Sequence, residues 1–373
     1  MYTEDIVAVA KRENNTKRGY LVVNKRQGKH IPVAPDKALE MFRALADLVG
    51  QRYQGERLLL IGFAETATAI GEALAIQLGA DYMQTTRENI PGVEYLHFSE
   101  SHSHATEQKV VKDDIDAAAG RIRRIVFVED EVTTGNTIWK LICLLRQGYG
   151  EKFCFSVASL LNGMDAAAQE RYQAAQVGLV YLVKTDHGRY QELAAQYQNN
   201  GKYWEQLPPC PALPEIQEYR VSGYINARRL HKAADYHNAC ERLWQEIKGK
   251  VPFGAGEDVL VLGTEEFMYA PLYVARKIQE LGNRVKFHAT TRSPIMVSKD
   301  PHYPLHERYG LASLYENGRA TYAYDLASYQ MVLVVTDAAP GEGKGEASLK
   351  NALCHCGNQN IYFVRWCECE DFV

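Results

Sequence analysis

No stretch of this sequence is apolar for long enough to cross a membrane. The most apolar one, Leu58 to Ala80, is interrupted by Glu65 and Glu72 and reads as a strand followed by a helix. There is no excess of positive charge either. With 42 Lys and Arg against 46 Asp and Glu, the net charge of -4 offers no electrostatic footprint for nucleic acid or an anionic membrane. Cysteine is sparse: eight in 373 residues do not make the disulfide framework of a small secreted domain. The first twenty residues carry acids early and lack an apolar core, so no secretory leader is expected and the expected location is cytoplasmic. What is present is 46% hydrophobic against 24% charged residues, which over this length suffices for two soluble domains with cores of their own.

The stretch Ile125 to Thr137, IVFVEDEVTTGNT, organises the rest. Ile125-Val126-Phe127-Val128 is the short apolar, β-rich run of a strand buried on both faces of a parallel sheet. Glu129 and Asp130 follow at the carboxyl end of that strand, where open α/β sheets place their ligands. Thr133, Thr134, Gly135, Asn136 and Thr137 then form a hydroxyl-rich turn that runs into a helix starting at Ile138. The turn's amides and the helix N-terminus suit a phosphate, and the two acids suit ribose hydroxyls. The plainer alternative is an ordinary strand-turn-helix junction capped by threonines.

Other elements read in order. Gly19 to Pro32 is a short strand and a basic segment in which Lys25, Arg26, Lys29 and His30 either face an anion or form a solvated loop. Ala38 to Val49 carries a helical apolar stripe. Leu58 to Gly62 is a buried strand, and Ala64, Glu65, Thr66, Ala67 and Thr68 then offer small residues and two hydroxyls that let backbone amides approach an anion. Glu65 fits beside an anion only through Mg²⁺ or a sugar hydroxyl, and capping of the helix Ala69 to Leu78 is the alternative use of Thr66 and Thr68. A third strand runs from Tyr82 to Arg87. Glu88 to Gln108 is long, polar and aperiodic, with His102 and His104 near Glu100 and Glu107: an active-site loop, a metal site or an exposed polar loop. Phe153 to Leu161, the helical Asp165 to Ala175 and Gly178 to Val183 complete a Rossmann-like, mainly parallel α/β domain.

Pro208 to Pro214 holds four prolines in seven residues and is the best boundary, which divides the chain into domains 1–207 and 219–373 joined by a linker 208–218. Beyond it the first half echoes. Gly62-Phe63-Ala64-Glu65 returns as Gly263-Thr264-Glu265-Glu266, Thr85-Thr86-Arg87 as Thr290-Thr291-Arg292, and Glu129-Asp130 as Thr336-Asp337, in the same order and at nearly constant spacing. The copy is degenerate: Ala338-Ala339-Pro340-Gly341 stands where Thr133-Thr134-Gly135 stood, and Pro340 removes an amide donor. Near the end, Cys354, Cys356, Cys367 and Cys369 form two Cys-x-Cys pairs, a possible Zn²⁺ site against the alternative of reduced cytosolic thiols.

EDEVTTGNT resembles the PRPP-binding motif of the type I phosphoribosyltransferases, with Glu129 where Asp is commoner. Together with KRQGKHIP, GFAETATA, HSHAT and TTRSP, it makes nearly the whole chain similar to the phosphoribosyltransferases of a tellurium-resistance-associated biosynthetic operon, which carry a C-terminal TRSP domain. The resemblance implies a type I fold followed by a degenerate α/β domain of similar topology. It implies an orotate phosphoribosyltransferase-like pentosyltransferase of nucleotide metabolism, moving 5-phosphoribose between PRPP and a nucleobase-like acceptor, in either direction, with Mg²⁺ held through the substrate and Asp130. Glu129 and Asp130 would hold ribose hydroxyls, Thr133 to Thr137 the 5-phosphate, and Ala64 to Thr68 pyrophosphate. Arg87, His102 and His104, on a loop that closes over substrate, would meet the departing pyrophosphate or the nucleophile. Lys25, Lys29 and Arg292 are further candidates for anion contact. Family members commonly pair as dimers, so the two halves could form a pseudo-dimer within one chain, and a homo-oligomer is equally open. Two other readings fit the same residues: a non-catalytic sensor of PRPP or nucleotides, and phosphorolysis or hydrolysis of a ribosyl bond.

Overall fold

A computed structural model describes residues 2–13, 18–98, 108–205, 207–211, 213 and 216–368. Two compact units result, each discontinuous in sequence. Unit 1 comprises Met1–Glu4, Leu39–Asp186 and Ile225–Asn238, and unit 2 comprises Asp5–Ala38, His187–Tyr224 and Ala239–Val373. Among the described residues no helix is long and apolar enough to cross a membrane.

Unit 1 is built on a six-stranded sheet in the order His231–Lys232, Asp81–Gln84, Leu58–Gly62, Arg124–Val132, Cys154–Asn162, Gly178–Lys184. The last five are mutually parallel, and the short edge strand His231–Lys232 runs antiparallel to its neighbour. Leu59, Leu60 and Ile61, like Ile125 to Val128, are fully buried, which is why both strands appear in the sequence as unbroken apolar runs. The chain leaves Leu58–Gly62 toward Asp81–Gln84 on one side, and Arg124–Val132 lies on the other. That reversal between the two central strands is where an open α/β sheet binds ligands.

Unit 2 repeats the arrangement: Arg284–Ala289, Asp258–Gly263, Met331–Thr336, Ile361–Arg365 and Gln217–Arg220 form a wholly parallel five-stranded sheet. Its outermost strand, Gln217–Arg220, precedes the other four in sequence, whereas its counterpart Gly178–Lys184 follows the central strands of unit 1. The repeat extends to single hydrogen bonds. The Ala64 N–H donates to the Thr85 hydroxyl at 2.8 Å, and the Glu265 N–H donates to the Thr290 hydroxyl at 3.1 Å. Glu88 N–H donates to Thr86 Oγ1 as Ser293 N–H donates to Thr291 Oγ1. A degenerate tandem α/β unit is therefore what the chain contains.

Two expectations change. The units do not divide at the proline-rich stretch, since 5–38 and 187–207 fall in unit 2 and 225–238 in unit 1. The polar stretch from Glu88 to Gln108 is not aperiodic throughout, because Tyr95–His97 pairs antiparallel with Lys109–Val111. Three residues are too few to show a period-two pattern in sequence.

Candidate functional site

The strand Arg124–Val132 runs on through its acids, and its ladder to Cys154–Asn162 continues as far as Val132 and Asn162. Glu129, Asp130 and Glu131 therefore stand on regular strand backbone at its carboxyl end, half-buried. One strand over, Leu58–Gly62 opens into Ala64–Thr68. The Thr66 hydroxyl donates to Asp130 Oδ1 at 2.7 Å, which ties the small-residue loop to the acid. Thr85 accepts from the loop's Ala64 N–H, and the Gln108 amide donates to the Ala64 carbonyl at 3.0 Å. The Phe63 ring meets Phe98 edge-on at 5.7 Å, so both described ends of the stretch around 99–107 are anchored beside this loop.

Electrostatics single out Glu129. Its carboxyl is held well above the ordinary carboxylate range, first by burial and then by the charges of Asp130 and Glu131. A backbone hydrogen bond from Asp130 and the charge of Arg87 pull the other way without prevailing. Burial and two neighbouring carboxylates thus favour the protonated form of Glu129.

The turn after the strand depends on Gly135, which adopts φ +69° at the N-cap of the helix Asn136–Tyr149. A Cβ there would lie 2.6 Å from Met164 Cε and 2.7 Å from the Tyr172 hydroxyl oxygen. Tyr172 donates to the Gly135 carbonyl at 2.6 Å, and Arg171 donates to the Thr134 carbonyl and the Asn136 side chain, both at 3.0 Å. The N-cap residues of this helix and of the helix Thr68–Leu78, Gly135 and Ala67, contribute no capping side chain, and the Thr134 hydroxyl accepts from the Asn136 N–H at 3.4 Å. The first turn of Asn136–Tyr149 opens to solvent at Thr134, Asn136 and Thr137.

Arg87, Glu129, Asp130 and Ala64–Thr68 come together at the central strands, with Thr133–Thr137 directly following. His102 and His104 lie outside the described residues. Two of the anion-contact candidates need correction, both in unit 2. Lys29 is buried and donates to the carbonyls of Glu265 (2.6 Å) and Thr290 (2.9 Å), so it is an internal cation. Arg292 is paired with Glu265 at 3.1 Å and Glu266 at 2.6 Å. Lys25 stays exposed. The zinc expectation is corrected too: Cys354 is joined to Cys210 in a disulfide, which removes one thiolate from the set of four. Cys356 is half-buried with its thiol pushed up by burial, Cys367 is buried, and Cys369 lies outside the described residues. Among the described residues no group of three or more His, Cys, Asp or Glu side chains has metal-ligand geometry.

Sequence reasoning missed Glu131, Thr85, Gln108, Arg171 and Tyr172. Glu131 was visible as the third acid of the run. Arg171 and Tyr172 support the turn from a helix more than thirty residues on, and nothing local announces that.

Residues 6–187 match the family described as phosphoribosyl transferase, and residues 228–352 match the TRSP domain found C-terminal to it. Among curated proteins none matches the chain. Similar solved structures include adenine phosphoribosyltransferase from Rhodothermus marinus, 14% identical, covering 49% of this chain and 96% of that one with a TM-score of 0.36. The Trypanosoma brucei adenine enzyme, in complex with AMP, pyrophosphate and ribose-5-phosphate, is 17% identical over 48% of this chain and 77% of its own, TM-score 0.33. Orotate phosphoribosyltransferase from Aeropyrum pernix is 18% identical over 48% and 89%, TM-score 0.32.

Proposed function

Because the chain belongs to the family in which a phosphoribosyl transferase domain precedes a TRSP domain, we propose that unit 1 binds PRPP with Mg²⁺ and exchanges its pyrophosphate for a nucleobase-like acceptor. The observation that carries this reading is the Thr66–Asp130 hydrogen bond, which brings a small-residue, anion-compatible loop against the acids at the end of the central strand. PRPP, with a diphosphate on C1 beside its ribose hydroxyls, needs both kinds of contact at once.

In the proposed reaction the bond between ribose C1 and the pyrophosphate oxygen breaks, and a bond from an acceptor nitrogen to C1 forms. The acceptor's N–H proton passes to solvent, and pyrophosphate leaves. Positive charge builds on the ribose ring in between, so carboxylates near it stabilise the transition state more than the ground state. Asp130, oriented by Thr66, and Glu129 supply that charge and accept the ribose hydroxyls. The turn Thr133–Thr137, held in shape by Tyr172 and Arg171, takes the 5-phosphate. Ala64–Thr68, held by Thr85 and Gln108, receives the pyrophosphate, with Arg87 as its cation. Asp130 and the ligand's own oxygens would hold Mg²⁺, which when bound supplies charge neutralisation.

Calorimetric titration of PRPP into the full chain, with and without Mg²⁺, tests the donor. Binding that needs Mg²⁺ and is lost in Asp130→Asn supports the proposal, and pyrophosphate release during an acceptor screen then identifies the base. Binding without turnover for any base would make the chain a sensor. Absence of binding would sink the assignment.

A further inference from the structure

The residues 225–238 lie beyond the proline-rich stretch, and the TRSP match begins at 228, yet they pack as part of unit 1. There they complete the phosphoribosyl transferase sheet. His231 and Lys232 pair antiparallel with Tyr82 and Asp81, the Ala227 carbonyl accepts from the Gln84 N–H at 3.1 Å, and the Ala80 carbonyl accepts from the Ala233 N–H at 3.1 Å. Arg229 grips Asp114 through two N–H groups at 2.7 and 2.9 Å.

We propose that this strap is a positioning device for the donor site, with His231 acting through Glu72 and Tyr82 on the pyrophosphate loop. The inference rests on the donor reading given above. Its geometry is a short relay. His231 Nε2 lies 3.0 Å from Glu72 Oε2, on the helix that issues from Ala64–Thr68. His231 Nδ1 lies 2.9 Å from the Arg229 carbonyl. A carbonyl accepts only, and so does a carboxylate, so the ring carries both N–H groups unless Glu72 itself holds the shared proton. Glu72 is 1% exposed, and its other oxygen has no hydrogen-bond partner, so His231 is what satisfies this buried acid.

The relay's second arm is Tyr82. Its ring meets His231 edge-on at 5.5 Å, and its hydroxyl donates to the Thr68 carbonyl at 2.9 Å. It occupies the space left by two glycines, since a Cβ on Gly62 would lie 2.3 Å from its hydroxyl oxygen and one on Gly71 would lie 2.7 Å from its ring. Gly62 ends the strand that feeds the loop, and Thr68 ends the loop. The strap therefore clamps both sides of Ala64–Thr68: the helix after it through Glu72, and the neighbouring strand, whose continuation at Thr85 holds Ala64, through Tyr82 and Gln84.

The test uses the full chain. In His231→Ala the loop should lose its register: amides of residues 64–68 exchange with solvent faster, and the Kd for PRPP with Mg²⁺ rises on the order of tenfold, the scale of a small misplacement in a preorganised site. His231→Gln, which restores a donor to Glu72, should recover most of the affinity, and the exposed Lys232→Ala should change nothing. Should His231→Ala not fold, Arg229→Met loosens the strap at Asp114 without emptying a buried position, and a smaller change of the same sign is expected. A folded His231→Ala or Arg229→Met with exchange at 64–68 and PRPP affinity both as in the wild type overturns the proposal, since a purely structural strap would lower thermal stability only. Failure of the wild type to bind PRPP overturns the donor assignment instead. The exchange readout then still decides whether the strap orders the loop.

Discussion

The Thr66 hydroxyl donates a hydrogen bond to Asp130 Oδ1 at 2.7 Å, linking the loop after Leu58–Gly62 to the carboxyl end of the neighbouring strand, 64 positions further along the chain. The bond fixes one carboxylate oxygen and leaves the acid's direction set before any ligand arrives. Asp130→Asn keeps an acceptor for Thr66 and nearly the same shape, so folding should be unchanged while one negative charge is lost. PRPP affinity or turnover should fall by several kcal/mol of transition-state stabilisation, on the scale of about 2–4 kcal/mol for one preorganised electrostatic group. Thr66→Val removes only the orienting bond and should cost about 1 kcal/mol. Equal effects from the two variants would mean that orientation, and not charge, is what Asp130 contributes.

Gly135→Ala should damage both stability and phosphate binding. The residue sits at φ +69°, a conformation costing a non-glycine residue about 1–2 kcal/mol, and its new methyl would press on Met164 and Tyr172. Overpacking of this kind adds about 1–3 kcal/mol. A thermal melt should show the loss directly, and calorimetry with ribose 5-phosphate should show weaker binding in the protein that remains folded. An unshifted melting temperature would contradict the packing described around this turn.

How much of this was legible beforehand depends on how each element is stabilised. Leu58–Gly62 and the stretch Ile125–Val128 of Arg124–Val132 are buried on both faces, so their residues are apolar without interruption and the strands announce themselves. The acids and threonines that follow form a contiguous string, and contiguous chemistry can be read. The strap His231–Lys232 could not be read, because a two-residue polar edge strand has no hydrophobic pattern and takes its place through Glu72 and Asp114. Lys29 misled for a related reason. Its partners are carbonyls 236 and 261 positions away, and no local signal separates a buried lysine from a solvated one. Likewise the strand Gln217–Arg220 pairs with Ile361–Arg365 near the other end of the chain, a pairing set by tertiary contact alone.

The Cys210–Cys354 bond makes a chemical prediction. Denatured without reductant, the chain should titrate two thiols fewer than its eight cysteines. The bond ties the proline-rich stretch to the helix Lys344–His355 across 144 positions. Reduction should therefore destabilise unit 2 by about 2–4 kcal/mol, the usual contribution of a bridge closing a long loop. Elemental analysis should find no stoichiometric zinc. Eight titratable thiols with one bound zinc would reverse both statements.

Glu129 predicts opposite pH dependences for the free protein and for its complex. Burial and the neighbouring charges of Asp130 and Glu131 hold its folded pKa well above the unfolded value of about 4.5. The folded state therefore binds more protons than the unfolded state between those two values, and the stability of the ligand-free protein should fall as pH rises through that window. Below the unfolded pKa the contribution is fully present. In the proposed function Glu129 accepts ribose hydroxyls as the carboxylate, so binding of PRPP with Mg²⁺ would expel the proton, and affinity should rise with pH over the same window before levelling off. Glu129→Gln should flatten both curves, because its amide neither titrates nor repels Asp130. Chemical denaturation and calorimetry from pH 5 upward measure the two slopes. If they carried the same sign, the proton would not be competing with the ligand, and Glu129 would have no part in holding it.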